Sequence, residues 1–321
     1  MNGVESFASP LMWGGFIVFV LGMLAFDMLV LGGRHSHKVT VKEALGWSIA
    51  WVMLALLFSG LLWWYLDHSI GREFANQKSL EFLSGYLIEK SLSVDNIFVF
   101  LVIFGYFAVP AEMQRRVLLY GVVGAIVMRA VMILLGAWLI AQFSWIMYLF
   151  GAFLIITGIK MLIFADKESD LNDNPLLKFL RKHMRISNEY DGEKFFTMRN
   201  GVRYFTPLML VLILIEVTDL IFAVDSIPAI FAITTDPFIV FTSNMFAIMG
   251  LRALYFLLAD VADRFHYLKY GLALVLVFVG GKMLLAYWFH IPVMISLLVV
   301  GLILLASVLI SLVLSRKKAV V

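Results

Sequence analysis

The sequence contains no cysteine and little charge. Without cysteine, the chain cannot form a disulfide, bind a metal through thiolates or use a cysteine nucleophile. Only 15% of its 321 residues are charged, whereas 62% are hydrophobic. A soluble domain of this length cannot bury so much apolar surface, and the charges occur in clusters between apolar runs of membrane length. The composition therefore predicts an integral membrane protein.

The motifs of several enzyme classes are missing as well. The sequence has no P-loop, which argues against ATP as an energy source. It has no His-Glu-x-x-His helix, no Gly-x-Gly-Asp motif and no Ser/His pair at membrane depth. We therefore do not expect an intramembrane hydrolase or another enzyme. The net charge of +3 gives no reason to expect nucleic acid as a partner.

Nine apolar segments reach the roughly 20 residues that cross a bilayer. The first follows ten residues without Lys or Arg, so we expect a retained span rather than a cleaved signal peptide. Nearly all Lys and Arg residues of the connecting loops fall on one side, which predicts an outside N-terminus and an inside C-terminus. The predicted helices are 11–31, 43–66, 80–108, 117–141, 143–164, 206–234, 238–262, 268–289 and 292–314.

The segment 165–205 is the only sizeable polar piece, and the charge bias places it inside the cell. Its stretch 175–185 alternates leucines with basic residues at helical spacing, which predicts a short helix lying on the membrane surface. Further on, Asn200-Gly201 stands between β-prone arms and predicts a hairpin. We interpret the segment as a structured linker between two halves of the chain.

One acidic motif occurs twice. Segment 89–97 reads EKSLSVDNI, and segment 219–227 reads DLIFAVDSI. Each copy has an acid, five residues, a second acid and then a small polar residue. The paired positions are Glu89 with Asp219, Asp95 with Asp225, and Asn96 with Ser226. Carboxylates are costly inside apolar membrane helices, so all four acids are functional candidates.

The repetition extends beyond the acidic motif. Arg129 in the fourth predicted helix matches Arg252 in the seventh, and segment 158–162 in the fifth matches 280–284 in the eighth. Helices three to five (80–164) and six to eight (206–289) are therefore two copies of one unit within a single membrane domain. Because each copy has three spans, the copies must insert in opposite orientations. Inverted repeats with a site at their interface are typical of secondary transporters.

The charges inside the predicted spans favour a divalent cation. The acids exceed the bases by two if all are ionised, and carboxylates with amide and hydroxyl oxygens suit Mg²⁺, Ca²⁺ or Mn²⁺. Pro228 should break helix six and free a backbone carbonyl, which is tolerated only beside protein or a polar cavity. The candidate ligands are Glu89, Asp95, Asn96, Glu216, Asp219, Asp225 and Ser226, and the candidate counter-ions are Lys90, Arg129 and Arg252.

Two hypotheses follow from these residues. In the first, a secondary transporter binds the cation at mid-membrane between helices three and six, and exchange for protons is the natural driving reaction. In the second, the acids only form salt bridges that fix helix packing, and the chain is a membrane anchor or partner subunit of an envelope- or metal-stress complex. The residues alone leave the metal, the coupling ion and the oligomeric state open.

The sequence resembles the TerC family of bacterial integral membrane proteins, and in particular its Alx branch. The matching motifs are EKSLSVDN at 89–96, the stretch from Glu216 to Pro228, and the paired Arg129 and Arg252. The resemblance implies Mn²⁺ export across the inner membrane, with Mn²⁺ as substrate and no prosthetic group. It also implies that the acids of both motifs, with Glu216, handle the metal.

Overall fold

A computed structural model describes most of the chain. The described residues are 6–27, 40–143, 145–163, 175–187, 189–199, 201–259, 268–285 and 291–318. Within these ranges the chain is mainly helical, with one two-stranded antiparallel sheet. The elements are α1 (Pro10–Phe26), α2 (Val41–Ser69), α3 (Arg72–Tyr106), α4 (Ala111–Gln142), α5 (Ile146–Ile163), α6 (Pro175–His183), β1 (Phe196–Arg199), β2 (Val202–Phe205), α7 (Pro207–Phe231), α8 (Pro237–Met249), α9 (Leu251–Ala259), α10 (Leu268–Leu285) and α11 (Val293–Lys318).

Each predicted span contains an observed helix, but the seventh is divided. Where the sequence predicts one helix over 238–262, α8 and α9 meet at Gly250 and are bent by 40°. A Cβ on Gly250 would lie 2.6 Å from Nζ of Lys90 and 3.2 Å from Cβ of Trp51, so α2 and α3 approach the chain closely here. The bend follows from a glycine with low helix propensity at a crowded contact. Residues 260–262 lie outside the described part of the chain.

Five of the described helices are long and apolar enough to cross a membrane, and the count rises to six if α8 and α9 form one span. This number and the helical content support an integral membrane protein built from helices. α3 is not among the five, because its charged and polar residues reduce its apolar character. It packs instead against α2, α7, α8, α9, α10 and α11, which places it inside the bundle.

The segment before α7 folds against the bundle. β1 and β2 lie where Asn200-Gly201 predicts a hairpin, and Gly201 has a φ of 75° that favours glycine. The predicted surface helix corresponds to α6, yet Leu177 and Leu180 are buried against the first turns of α7. The face of α6 that carries Leu177 and Leu180 therefore contacts protein. Phe179 is not on this face and is exposed.

Two glycines bring α5 and α10 into close contact. A Cβ on Gly280 would lie 2.6 Å from the backbone oxygen of Gly151, and a Cβ on Gly151 would lie 3.0 Å from that of Gly280. Small residues allow helix backbones to approach in membranes, where lipid competes for apolar contacts. The helices that end the two predicted repeats thus pack on each other.

We expect Gly280→Ala to lower the free energy of unfolding by about 1–3 kcal/mol, because the added methyl group meets a backbone that cannot rotate away. The neighbouring Gly281 has no heavy atom within 4 Å of a built Cβ, so Gly281→Ala is the matched control. Thermal unfolding of both variants in one detergent measures the difference. Equal melting temperatures would show that the α5–α10 contact does not limit stability.

Candidate functional site

Arg129 of α4 stands at the centre of a buried cluster of polar side chains. Its side chain is 1% exposed, and the clustered groups come from α3, α4, α7 and α8. Arg129 donates from Nη2 to Oδ1 of Asp219 over 3.0 Å and from Nε to Oδ2 of Asp219 over 3.3 Å. Its Nη1 forms an ion pair with Glu89, which is fully buried. One guanidinium therefore bridges the first acids of the two motifs.

Amide and hydroxyl groups complete the cluster. Asn244 accepts from Nη1 of Arg129 over 3.2 Å and donates from Nδ2 to Oε2 of Glu89 over 3.3 Å. Ser226 Oγ accepts from the same Nη1 over 3.3 Å. Asn96 donates from Nδ2 to Oδ1 of Asp219 over 3.0 Å, while its own Oδ1 is buried without a partner among the described residues. An unpaired buried acceptor is costly, and here it belongs to an amide that is bonded to Asp219.

Helix periodicity explains which motif residues meet. Residues seven apart in an α-helix differ in direction by only ~20°, whereas residues six apart differ by ~120°. Glu89 and Asn96 therefore share one face of α3, and Asp219 and Ser226 share one face of α7. The four side chains point to the same place because α3 and α7 pack on each other.

The second acids of the motifs do not both fall on this face. Asp225 lies beside α5, where it accepts a hydrogen bond of 3.4 Å from Thr157 Oγ1 and is attracted by Lys160. Its counterpart Asp95 belongs to α3, but its side chain lies outside the described part of the structure. The prediction that a helix break brings both acids of one copy together is not met in α7, which runs regularly from Asp219 to Asp225.

Pro228 lies in the last turn of α7 and does not interrupt the helix. The helix continues past Pro228 to Phe231, so the proline lies in the last turn. A proline there removes one backbone hydrogen bond close to a terminus, which costs less than a break in mid-helix. The predicted interruption beside the acids is therefore a helix end about one turn further on.

Glu216 lies next to the cluster without joining its hydrogen bonds. It is half-buried one turn before Asp219, close enough for the two carboxylates to repel each other. Its carboxyl group lies over Gly124 of α4, in the space that a Cβ at that position would occupy. The glycine thus leaves room for a third acid at the edge of the site.

Two predicted counter-ions lie elsewhere. Arg252 pairs at 2.5 Å with Asp27, the residue that follows α1. Lys90 donates over 3.3 Å to the backbone oxygen of Ala247. The predicted set of three cations facing five acids is therefore reduced to Arg129 at the cluster. Positions that match in the two predicted copies need not have equivalent partners, because α1 and α2 lie outside both predicted copies.

Sequence reasoning missed Asn244. It belongs to Thr242-Ser243-Asn244, a polar run inside an otherwise apolar segment, and all three side chains are fully buried. Such a run is a usable signal, since buried polar groups at membrane depth must be paired. A second missed group joins α3 to the residues before α8: Glu81 accepts from Lys78 over 2.8 Å and from Thr234 over 2.6 Å.

The cluster offers hard oxygen donors, but a cation already stands among them. Carboxylate, amide and hydroxyl oxygens are ligands that Mg²⁺, Ca²⁺ and Mn²⁺ accept. Within the described ranges, however, no three His, Asp or Glu residues are grouped so that they could hold a metal ion. The guanidinium of Arg129 lies between Glu89 and Asp219, where an ion bound to both would lie. Metal binding to both acids therefore requires Arg129 to move.

Comparisons with known proteins agree on one family. Residues 74–319 match the model of the integral membrane protein TerC family. The chain is 59% identical over 297 residues to a protein of Escherichia coli (strain K12) named "Putative membrane-bound redox modulator Alx", covering 92% of each. It is 49% identical over 316 residues to "Uncharacterized membrane protein STKORF319" of Myxococcus xanthus, covering 98% of this chain and 96% of that protein. No solved structure matches. The chain belongs to the TerC family of integral membrane proteins.

Proposed function

We propose that the chain is a secondary transporter that exports Mn²⁺ through the cluster around Arg129. The observation that carries this proposal is the meeting of Glu89 and Asp219, the first acids of the two motifs, in one buried group. Two carboxylates neutralise a divalent cation, whereas with Arg129 between them one negative charge remains. An uncompensated buried charge is expensive, so its presence indicates that a function requires it.

In this mechanism Arg129 holds the place of the metal. Its guanidinium neutralises most of the cluster while no substrate is bound, so the two carboxylates do not repel each other. An arriving divalent cation attracts both acids more strongly than a single positive charge does. Arg129 then withdraws, and the unpaired Oδ1 of Asn96 and the nearby Glu216 supply further oxygens. Protonation of a carboxylate releases the metal, which couples export to proton entry.

The packing of the helices supports two inverted copies. α3 packs on α8, and the equivalent helices of the other copy, α7 and α4, pack on each other. α3 also packs on its own counterpart α7, as α5 does on α10. Two copies related by one axis are expected to make such equivalent contacts. The arrangement favours rocking of one copy against the other as the step that alternates access to the site. We place the protein in the bacterial inner membrane with nine spans and its N-terminus outside.

Purified protein in lipid vesicles that contain a Mn²⁺-sensitive dye provides the test. We expect Mn²⁺ to enter faster than into protein-free vesicles, and faster still when a pH gradient drives protons out of the vesicle. The choice of manganese follows from the family resemblance, so competition by Mg²⁺ and Ca²⁺ belongs in the same experiment. Entry equal to that of protein-free vesicles with and without the gradient would contradict the proposal.

One observation favours the alternative of a structural cluster. Arg129 pairs with both acids in this conformation, as a purely architectural ion pair would. A buried pair is weak evidence for stability, because desolvation offsets much of the attraction. If the protein acts as an anchor or partner subunit, neutral variants of the acids would reduce its abundance or assembly. Any redox role would need groups other than thiols, since the sequence has no cysteine.

A further inference from the structure

A second buried arginine lies beside a cavity. Arg252 is 5% exposed, and its Nη1 has no hydrogen-bond partner among the described residues, although Nη2 is paired with Asp27. Its counterpart in the other copy, Arg129, directs its nitrogens to two carboxylates, an amide and a hydroxyl. The second arginine is therefore short of an acceptor, and a buried unsatisfied donor carries a cost.

The space next to Arg252 is a small pocket between the end of α1 and the helices α2, α4 and α9. Arg115 also lines it and is close enough to Asp27 and Arg252 to act on both electrostatically. Asp27 is already paired, and Glu43 at the same pocket is not free either. Among the described residues that line the pocket, the buried polar side-chain atom left without a partner is Nη1 of Arg252.

The position of the pocket indicates an amphipathic ligand. Its walls include Trp47, Trp51 and Phe256, and it lies within the first turns of α2 and α4. Tryptophans at helix ends are typical of the membrane–water interface. The pocket is at the same end of the bundle as the hairpin segment, because Arg116 of α4 contacts Glu193 at 3.4 Å.

We propose that this pocket binds a phosphate group, with Arg252 and Arg115 as the donors and the aromatic walls receiving the apolar part of the ligand. Arginine is favoured at such sites because its planar fork matches the oxygens of a phosphate. The group can come from an anionic phospholipid headgroup or from free phosphate. This site does not depend on the proposed transport function, since it shares no residue with the cluster around Arg129.

The test compares two adjacent arginines in the full chain. Arg115→Gln removes a donor from the pocket, whereas Arg116→Gln makes the same change of charge on a side chain that contacts Glu193 instead. Delipidated protein is titrated with phosphatidylglycerol and, separately, with inorganic phosphate. Binding is followed by native mass spectrometry for the lipid and by the melting temperature for phosphate. We expect Arg115→Gln to weaken binding about tenfold or more and Arg116→Gln to leave it unchanged.

The outcomes separate the two sources and can overturn the proposal. Binding of phosphatidylglycerol alone identifies a lipid headgroup, and binding of inorganic phosphate as well identifies a general phosphate site. Arg252→Gln alone would leave Asp27 buried without its partner, so the double variant Asp27→Asn/Arg252→Gln tests the buried donor and should also lose binding. If neither probe binds the unmodified chain, or if both single variants weaken binding equally, the pocket is not a phosphate site.

Discussion

Replacing Arg129 with alanine is expected to lower the free energy of unfolding by about 3–5 kcal/mol. The substitution leaves Glu89 and Asp219 buried without their positive partner, and breaking a buried ion pair from one side has this typical cost. Arg116→Ala is the control, because its pair with Glu193 is half-exposed and such pairs contribute at most about 1 kcal/mol. Thermal or denaturant unfolding in one detergent measures both.

The same variant tests whether Arg129 holds the place of a cation. Without the guanidinium, the carboxylates of Glu89 and Asp219 carry two uncompensated negative charges, with the amides of Asn96 and Asn244 beside them. Millimolar Mn²⁺ should therefore raise the melting temperature of Arg129→Ala by several degrees, because a ligand that binds only the folded state stabilises it. The unmodified protein should respond less. A variant that is destabilised but insensitive to divalent metals would show that the cluster is a structural ion pair.

Asp219→Asn is expected to abolish transport while the protein stays folded. Arg129 keeps its ion pair with Glu89, and the asparagine oxygen can still accept a hydrogen bond from it. The site, however, loses one of the two charges that neutralise a divalent ion. Changes that only support a metal ligand typically cost 10–100-fold, so the loss of a direct ligand should reduce flux by at least about 100-fold.

Asp67→Asn is the matched control for this prediction. Asp67 at the end of α2 pairs with the exposed Arg72 at 2.9 Å, far from the cluster in the fold, so neutralising it should leave flux unchanged. Flux is compared at equal amounts of reconstituted protein, which separates transport from folding. If Asp219→Asn transports normally, the site is elsewhere. If it fails to accumulate in the membrane at all, the acids are architectural.

The sequence predicted the cluster better than it predicted the geometry within it. The repeated motif pointed to Glu89 and Asp219, and carboxylates at membrane depth are rare enough to be specific. The pattern of an acid, five residues and a second acid also predicted Asp95 and Asp225 as ligands of the same site. The spacing of seven, which joins each first acid to Asn96 or Ser226, is the one that a regular helix places on one face.

Other features of the structure depend on contacts between residues far apart in the sequence, which motifs and hydropathy do not predict. Arg252 matches Arg129 in the predicted repeat, yet its partner Asp27 lies at the end of α1, outside both predicted copies. Asn244 joined the site because α8 packs on both α3 and α4. The bend at Gly250 follows from the close approach of Trp51 and Lys90, which hydropathy cannot predict.

Equilibrium binding of Mn²⁺ to the purified chain, followed by electron paramagnetic resonance of the free ion, tests the central claim most directly. We expect one bound ion per chain in the unmodified protein and in Asp67→Asn, and none at the same concentration in the double variant Glu89→Gln/Asp219→Asn. Unchanged binding in the double variant would show that these two helices do not share a cation through their first acids.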